Sequence, residues 1–151
     1  MTRTQIITVH GGVERGDRRG RTIGFPTANL AVENTPVMDG VWAGWVQRGS
    51  DVHAAAISVG TRPTFYGRTG FRLLEAHLLD FDEDIYDELV TVTLVRRLRN
   101  IVRFGGVDEL VAQLHDDVAA TRAWASTAAP PAVHLATAAA QAPLGKAILT
   151  A

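Results

Sequence analysis

From Gly11 to Asn29 the chain reads Gly11-Gly12-Val13-Glu14-Arg15-Gly16-Asp17-Arg18-Arg19-Gly20-Arg21-Thr22-Ile23-Gly24-Phe25-Pro26-Thr27-Ala28-Asn29. Glycines interleaved with arginines leave backbone N–H groups open to anionic oxygens, because no Cβ stands in the way, and the guanidinium groups add positive charge. That is the chemistry of a phosphate cradle, although by composition alone a flexible surface loop accounts for the same residues. Neither common phosphate signature is present. There is no G-x-x-x-x-G-K-[ST], since the only lysine is Lys146, and no G-x-G-x-x-G. The continuation into Pro26-Thr27-Ala28-Asn29 adds a second chemistry. Proline fixes the backbone, and a hydroxyl and an amide two residues apart can turn to one side as neutral oxygen donors for a hard cation.

A second group of candidates lies between Phe71 and Asp84. Period-two alternation puts Leu73, Glu75, His77 and Leu79 on one strand face and Leu74, Ala76 and Leu78 on the other. By spacing alone, Glu75 reads as an edge-strand carboxylate paired with an arginine. The pair Glu75 and His77 offers zinc two ligands with no third in sight, so His77 reads better as a hydrogen-bonded barrel histidine. The run Asp80-Phe81-Asp82-Glu83-Asp84 imitates the start of a calcium loop. Ile85, however, occupies the turn-glycine position and Thr91 that of the bidentate glutamate, which removes that reading. Arg96, Arg97, Arg99 and Arg103 form a basic cluster whose plain reading is a solvent-facing strand end.

These residues need a scaffold, and the pattern supplies one. β-branched content and alternation predict strands at about 4 to 10, 41 to 47, 54 to 60, 71 to 81 and 90 to 98, separated by glycine-bearing loops. No helical pattern intervenes, so the domain is antiparallel β. Both faces of the 71 to 81 strand are mostly apolar, as in a closed barrel with something packed outside it. One helix is predicted after Gly105 and Gly106, where Leu110, Leu114 and Val118 recur and Asp108 and Glu109 occupy the first turn. The barrel and helix are expected to fill residues 1–124. Residues 125–151, rich in alanine and broken by Pro130, Pro131 and Pro143, are expected to be a tail, disordered or with a short helix between the prolines.

Composition narrows the function. A length of 151 residues suits one domain, and 46% hydrophobic with 21% charged residues is the balance of a globular protein. With no cysteine, disulfides, thiolate metal sites and cysteine nucleophiles are excluded, so any metal takes oxygen or imidazole ligands. A net charge of -1 and few aromatic residues near the arginines argue against nucleic acid and anionic membranes as partners. No apolar run reaches transmembrane length and no signal peptide is readable, so a cytoplasmic protein is expected.

At this point the sequence resembles the ATP-dependent riboflavin kinase family. The resemblance rests on Gly20-Arg21-x-x-Gly24-Phe25-Pro26-Thr27-Ala28-Asn29, Gly40-Val41-Trp42-Ala43, Val59-Gly60-Thr61-Arg62-Pro63-Thr64-Phe65 and Glu75-Ala76-His77-Leu78-Leu79-Asp80-Phe81. It continues through Asp84-Ile85-Tyr86, Arg96-Arg97-Leu98-Arg99, Phe104 and the helix from Leu110 to Asp117. It implies a mainly β fold, a six-stranded antiparallel Greek-key barrel with a C-terminal helix packed on it. It implies ATP on the glycine-rich loop, through Gly12, Gly16, Gly20, Arg21, Gly24 and Pro26. Thr27 and Asn29 take the metal positions, for Mg2+ or another divalent cation such as Zn2+ or Mn2+. Glu75 takes the place of the base that accepts the 5′-hydroxyl proton of riboflavin. Arg99, just before the loop that covers the flavin ring in the family, becomes a candidate flavin contact by stacking or hydrogen bonding. A monomer working on riboflavin and ATP is expected. With no adenylyltransferase module before the kinase-like segment, FMN is the expected product. A flavin- or nucleotide-binding regulatory module with little turnover is the alternative. The family commonly has glycine where this chain has Asp87, at a turn that calls for a residue tolerant of positive φ.

Overall fold

The computed structural model describes residues 5–15, 19–33, 35–61, 71–131 and 146–150. The elements are β1 (Ile6–Gly12), α1 (Arg19–Thr22), β2 (Ala28–Glu33), a 3-10 turn (Pro36–Met38), β3 (Gly40–Arg48), β4 (Asp51–Thr61), β5 (Phe71–Leu78), β6 (Leu89–Arg99), α2 (Val107–Ala125) and β7 (Lys146–Thr150). All strand pairs are antiparallel, in the order β2-β5-β4-β3-β6-β1-β7. β2 comes back against β1 and β7, and a bridge between Glu14 and Asn29 joins the ends of β1 and β2, so the sheet curls into a nearly closed barrel.

Alternation decides what fills it. Ile7 and Val9 of β1, Leu30 and Val32 of β2, Ile57 and Val59 of β4, Leu74 and Ala76 of β5, and Val92 and Leu94 of β6 turn into one apolar core. The opposite residues of the same strands therefore face outward. Val41, Ala43 and Trp45 of β3 face out and are still buried, and α2 packs across part of the outer face of β3 and β4. Trp124 of α2 meets Trp45 at a ring separation of 5.0 Å. At the other end of the barrel Arg72 holds Asp39 bidentately at 2.7 and 3.0 Å. Gly40, at φ +137, lies where any Cβ would come within 2.8 Å of the Arg97 guanidinium.

Three further side-chain contacts among the described residues hold the helix against the barrel. Arg99 donates to both carboxylate oxygens of Asp117 at 2.9 and 2.7 Å, and Gln113 adds a third bond to the same group at 3.0 Å. Arg122 grips Asp80 at 2.8 and 3.1 Å, and that hydrogen bond, followed by the guanidinium charge, lowers the Asp80 carboxyl below its ordinary value. The third contact is His115, whose ring lies 5.0 Å from that of Phe25.

The expected barrel and helix are present, and Asp87 does adopt a positive φ, 65°. Other features differ from the pattern reading. β2 was absent from the predicted strands, because five of its six residues are buried and alternation disappears where both faces are covered. β5 stops at Leu78 rather than 81, since Asp80 turns the chain at φ 54. In the stretch expected to be a tail, Lys146–Thr150 forms β7 and pairs along β1. The segment between Pro131 and Pro143, where disorder or a short helix was expected, lies outside the described residues.

Candidate active site

The glycine- and arginine-rich segment leaves the barrel at the end of β1 and returns at the start of β2, and its two ends meet. The Glu14 N–H donates to the Asn29 carbonyl at 2.7 Å, and the Glu14 carboxylate accepts from the Ala31 N–H at 3.2 Å. A turn from Ile85 to Glu88 braces the outgoing end, where Val13 bonds Glu88 and Asp87 through the backbone at 2.9 and 2.8 Å. Arg15 lies 4.6 Å above the Tyr86 ring, a cation–π contact at the base of the loop.

Of the nucleotide candidates, Gly12 ends β1, Gly20 and Arg21 belong to α1, and Gly24 and Pro26 lie in the return to β2. Gly16 lies outside the described residues. A Cβ added at Gly12 or Gly24 would meet nothing within 4 Å, so no protein atom demands glycine by contact at either place. Gly24 has φ +87, a backbone state that favours glycine. Arg21 and Pro26 are exposed beside it.

Thr27 and Asn29 are brought together, with the threonine hydroxyl donating to Asn29 Oδ1 at 2.9 Å. Strand register then supplies Glu75. Asn29 stands opposite Glu75 across β2 and β5, Glu75 opposite Ser58 across β5 and β4, Ser58 opposite Val41 across β4 and β3, and Val41 opposite Arg99 across β3 and β6. Residues directly opposite in antiparallel strands share a face. The row Asn29, Glu75, Ser58, Val41, Arg99 thus runs over the outside of the barrel, with Glu75 next to the metal candidates. Three strand spacings of about 4.8 Å separate Glu75 from Arg99, roughly 14 Å.

The row is walled on both sides. α2 covers the neighbouring rows of β3 and β4, tied down by the Arg99–Asp117 pair. On the other side the connection from β6 to α2 brings the Ile101 side chain to 3.9 Å from a Cβ built at Gly60. Ile101 and Val102 of that connection are each 50% exposed, which leaves an apolar lip beside the row.

Arg99 lies at the end of this row, as a flavin contact would require, but its guanidinium is engaged. Two of its nitrogens bond Asp117, the third bonds the Asn100 carbonyl at 3.1 Å, and Phe104 lies 5.9 Å from its centre. Its visible work is to hold helix and loop. Sequence reasoning missed Asp117, Ser58 and Val41 as site residues; Asp117 stands beside a second acid, Asp116, in the helix and nothing local distinguishes it, and strand partners carry no signal. His77 makes a hydrogen bond, as expected of a barrel histidine, with the Pro26 carbonyl at 2.8 Å. Among the described residues no three histidines or carboxylates gather as a metal-ligand cluster. No helix there is long and apolar enough to cross a membrane.

Comparison with known proteins agrees with this barrel. The flavokinase profile, described as riboflavin kinase, matches residues 4–125. The bifunctional riboflavin kinase/FMN adenylyltransferase of Escherichia coli K12 is 41% identical over 74% of this chain and 36% of its own length. A crystal structure described as a macrolide-efflux protein from Streptococcus pneumoniae superposes with a TM-score of 0.67 at 38% identity, covering 78% of this chain and 38% of that one. Riboflavin kinase from Trypanosoma brucei shares the fold at a TM-score of 0.62 and 23% identity, with 83% of each chain covered. An antiparallel barrel with a glycine-rich loop at its seam is thus the class to which the molecule conforms. The chain belongs to the riboflavin kinase (flavokinase) family. It spans a little over a third of the length of the curated relatives it matches.

Proposed function

We propose that this chain phosphorylates riboflavin to FMN, transferring the γ-phosphoryl group of ATP to the ribityl 5′-hydroxyl. The observation that carries the reading is the register that sets Glu75 directly across from Asn29, at the mouth of the loop that begins and ends beside them. Phosphoryl transfer asks a protein chiefly to position the two substrates, neutralise charge and orient the nucleophile. The backbone of the segment holding Gly12, Gly16, Gly20 and Gly24, with Arg21, receives the ATP phosphates, and Pro26 keeps the return of the loop rigid. Riboflavin lies along the outer row with its hydroxyl at Glu75 and its ring toward the lip of Ile101 and Val102. Glu75 accepts the proton as the hydroxyl oxygen attacks.

Thr27 and Asn29 suit a hard cation. Their oxygens are neutral donors 2.9 Å apart, and oxygens at about 2.0–2.1 Å in an octahedron lie about 2.9 Å apart along an edge. Mg2+ is favoured by that donor set, with Mn2+ or Zn2+ as substitutes. A cation held by Thr27 and Asn29 would supply positive charge to offset the negative charge of the phosphates. Arg99 serves the flavin end by holding the β6–α2 connection through Asp117. One chain contributes the whole row, so the reading needs no second copy and no nucleic acid.

The test is purified protein with riboflavin, ATP and Mg2+, with flavins separated by chromatography. FMN should accumulate with time and protein concentration. Riboflavin binding without FMN above the enzyme-free control would instead identify a flavin-binding module without turnover.

A further inference from the structure

His77 has no part in the chemistry above, yet it touches the segment on which that chemistry depends. Its Nδ1 lies 2.8 Å from the Pro26 carbonyl oxygen. A carbonyl only accepts, so Nδ1 carries the proton and donates. The bond crosses from β5 to residues 25–27, which lie between α1 and β2 outside the ladder, and Pro26 has no N–H with which to make a bond of its own. The carbonyl belongs to the peptide that leads into Thr27. Its plane sets the direction in which the Thr27 side chain leaves the backbone, toward Asn29 Oδ1 at 2.9 Å. The Phe25 ring is gripped as well, 5.4 Å from His77 and 5.0 Å from His115 of α2. Phe25 is buried.

We infer that His77 is the positioning residue of the cation site: its Nδ1–H locks the Pro26–Thr27 peptide so that Thr27 and Asn29 present their oxygens together, with Phe25 wedged against α2 as the backstop. The inference rests on the proposed role of Thr27 and Asn29. Groups that orient a metal's ligands typically change metal affinity by about ten- to a hundredfold when removed.

The experiment measures Mn2+ binding in the presence of ADP by electron paramagnetic resonance, beside riboflavin binding by fluorescence quenching. His77→Phe keeps a ring against Phe25 and loses the donor, whereas His77→Asn keeps a donor close to the Nδ1 position. The Phe variant should bind Mn2+ about tenfold more weakly and need correspondingly more Mg2+ for turnover, with riboflavin affinity unchanged. The Asn variant should recover to within about threefold of wild type, a fraction of that loss. Should the Phe variant fail to fold, His77→Leu takes its place. Wild-type Mn2+ affinity in the donor-less variant, an Asn variant as weak as the Phe one, or parallel loss of riboflavin binding would each overturn the inference. Asn29→Ala separates the two layers. If wild type and this variant bind Mn2+ with ADP alike, the cation site itself is misassigned and the role of His77 falls with it.

Discussion

Glu75 faces outward beside Asn29 and Ser58, partly buried, on a strand whose other face is core. If it takes the hydroxyl proton, Glu75→Gln keeps the shape and the hydrogen-bonding capacity while removing the acceptor. Turnover should then fall by about a hundredfold to ten-thousandfold, while riboflavin binding, read from fluorescence quenching, changes little. Retention of more than about half of wild-type turnover, well outside that range, would make Glu75 a structural carboxylate. The importance of Glu75 was legible only through the surrounding motif, because a single acid at a strand position is ordinary. Thr27 and Asn29 were easier to find, since a spacing of two after proline brings their oxygens together by local geometry alone. Ser58 and Val41 could not be found, because they join the row through strand register and no local pattern encodes which residue ends up opposite which.

Among the elements, α2 and the connection that precedes it define the two walls of the strip. Their shared fastening is the Arg99–Asp117 pair, in which the Asp117 side chain is 5% exposed and that of Arg99 21%. Asp117→Ala leaves a partly buried guanidinium without its partner, and should cost about 3 kcal/mol, toward the lower end for broken buried pairs. Denaturant unfolding measures this. Riboflavin binding should weaken more than nucleotide binding, because the freed connection borders the proposed flavin end of the row. Equal weakening of both would mean that α2 supports the barrel generally. Helix α2 was visible from its apolar spacing and its acidic first turn, as β1, β4 and β6 were from alternation. β2 was not visible as a strand, because burial on both sides erases period two.

For the molecule as a whole, the six-stranded barrel was foreseeable from the family resemblance, whereas the strand at the far end of the chain was not. Alanine and proline give no periodic signal, and what makes Lys146–Thr150 a strand is the open edge of β1. Ending the chain after Gly145 should expose that edge, lowering the thermal midpoint by several degrees, as a loss of about 1 kcal/mol does at this size. It should also promote self-association, detectable by sedimentation. An unchanged midpoint and a monodisperse sample would show that the edge is safe without β7. Strand order also bears on how the protein comes into being. β1 pairs with β6, and β2 with β5, so Thr27 and Asn29 leave the ribosome long before Glu75 and the strands that close around them. Loop-closure entropy must be met before such distant pairings are rewarded, and topologies of this kind fold over milliseconds to seconds rather than microseconds. A nascent chain thus passes through a stage in which the glycine-rich segment exists without the carboxylate across from it, and the proposed nucleotide and flavin site is completed late.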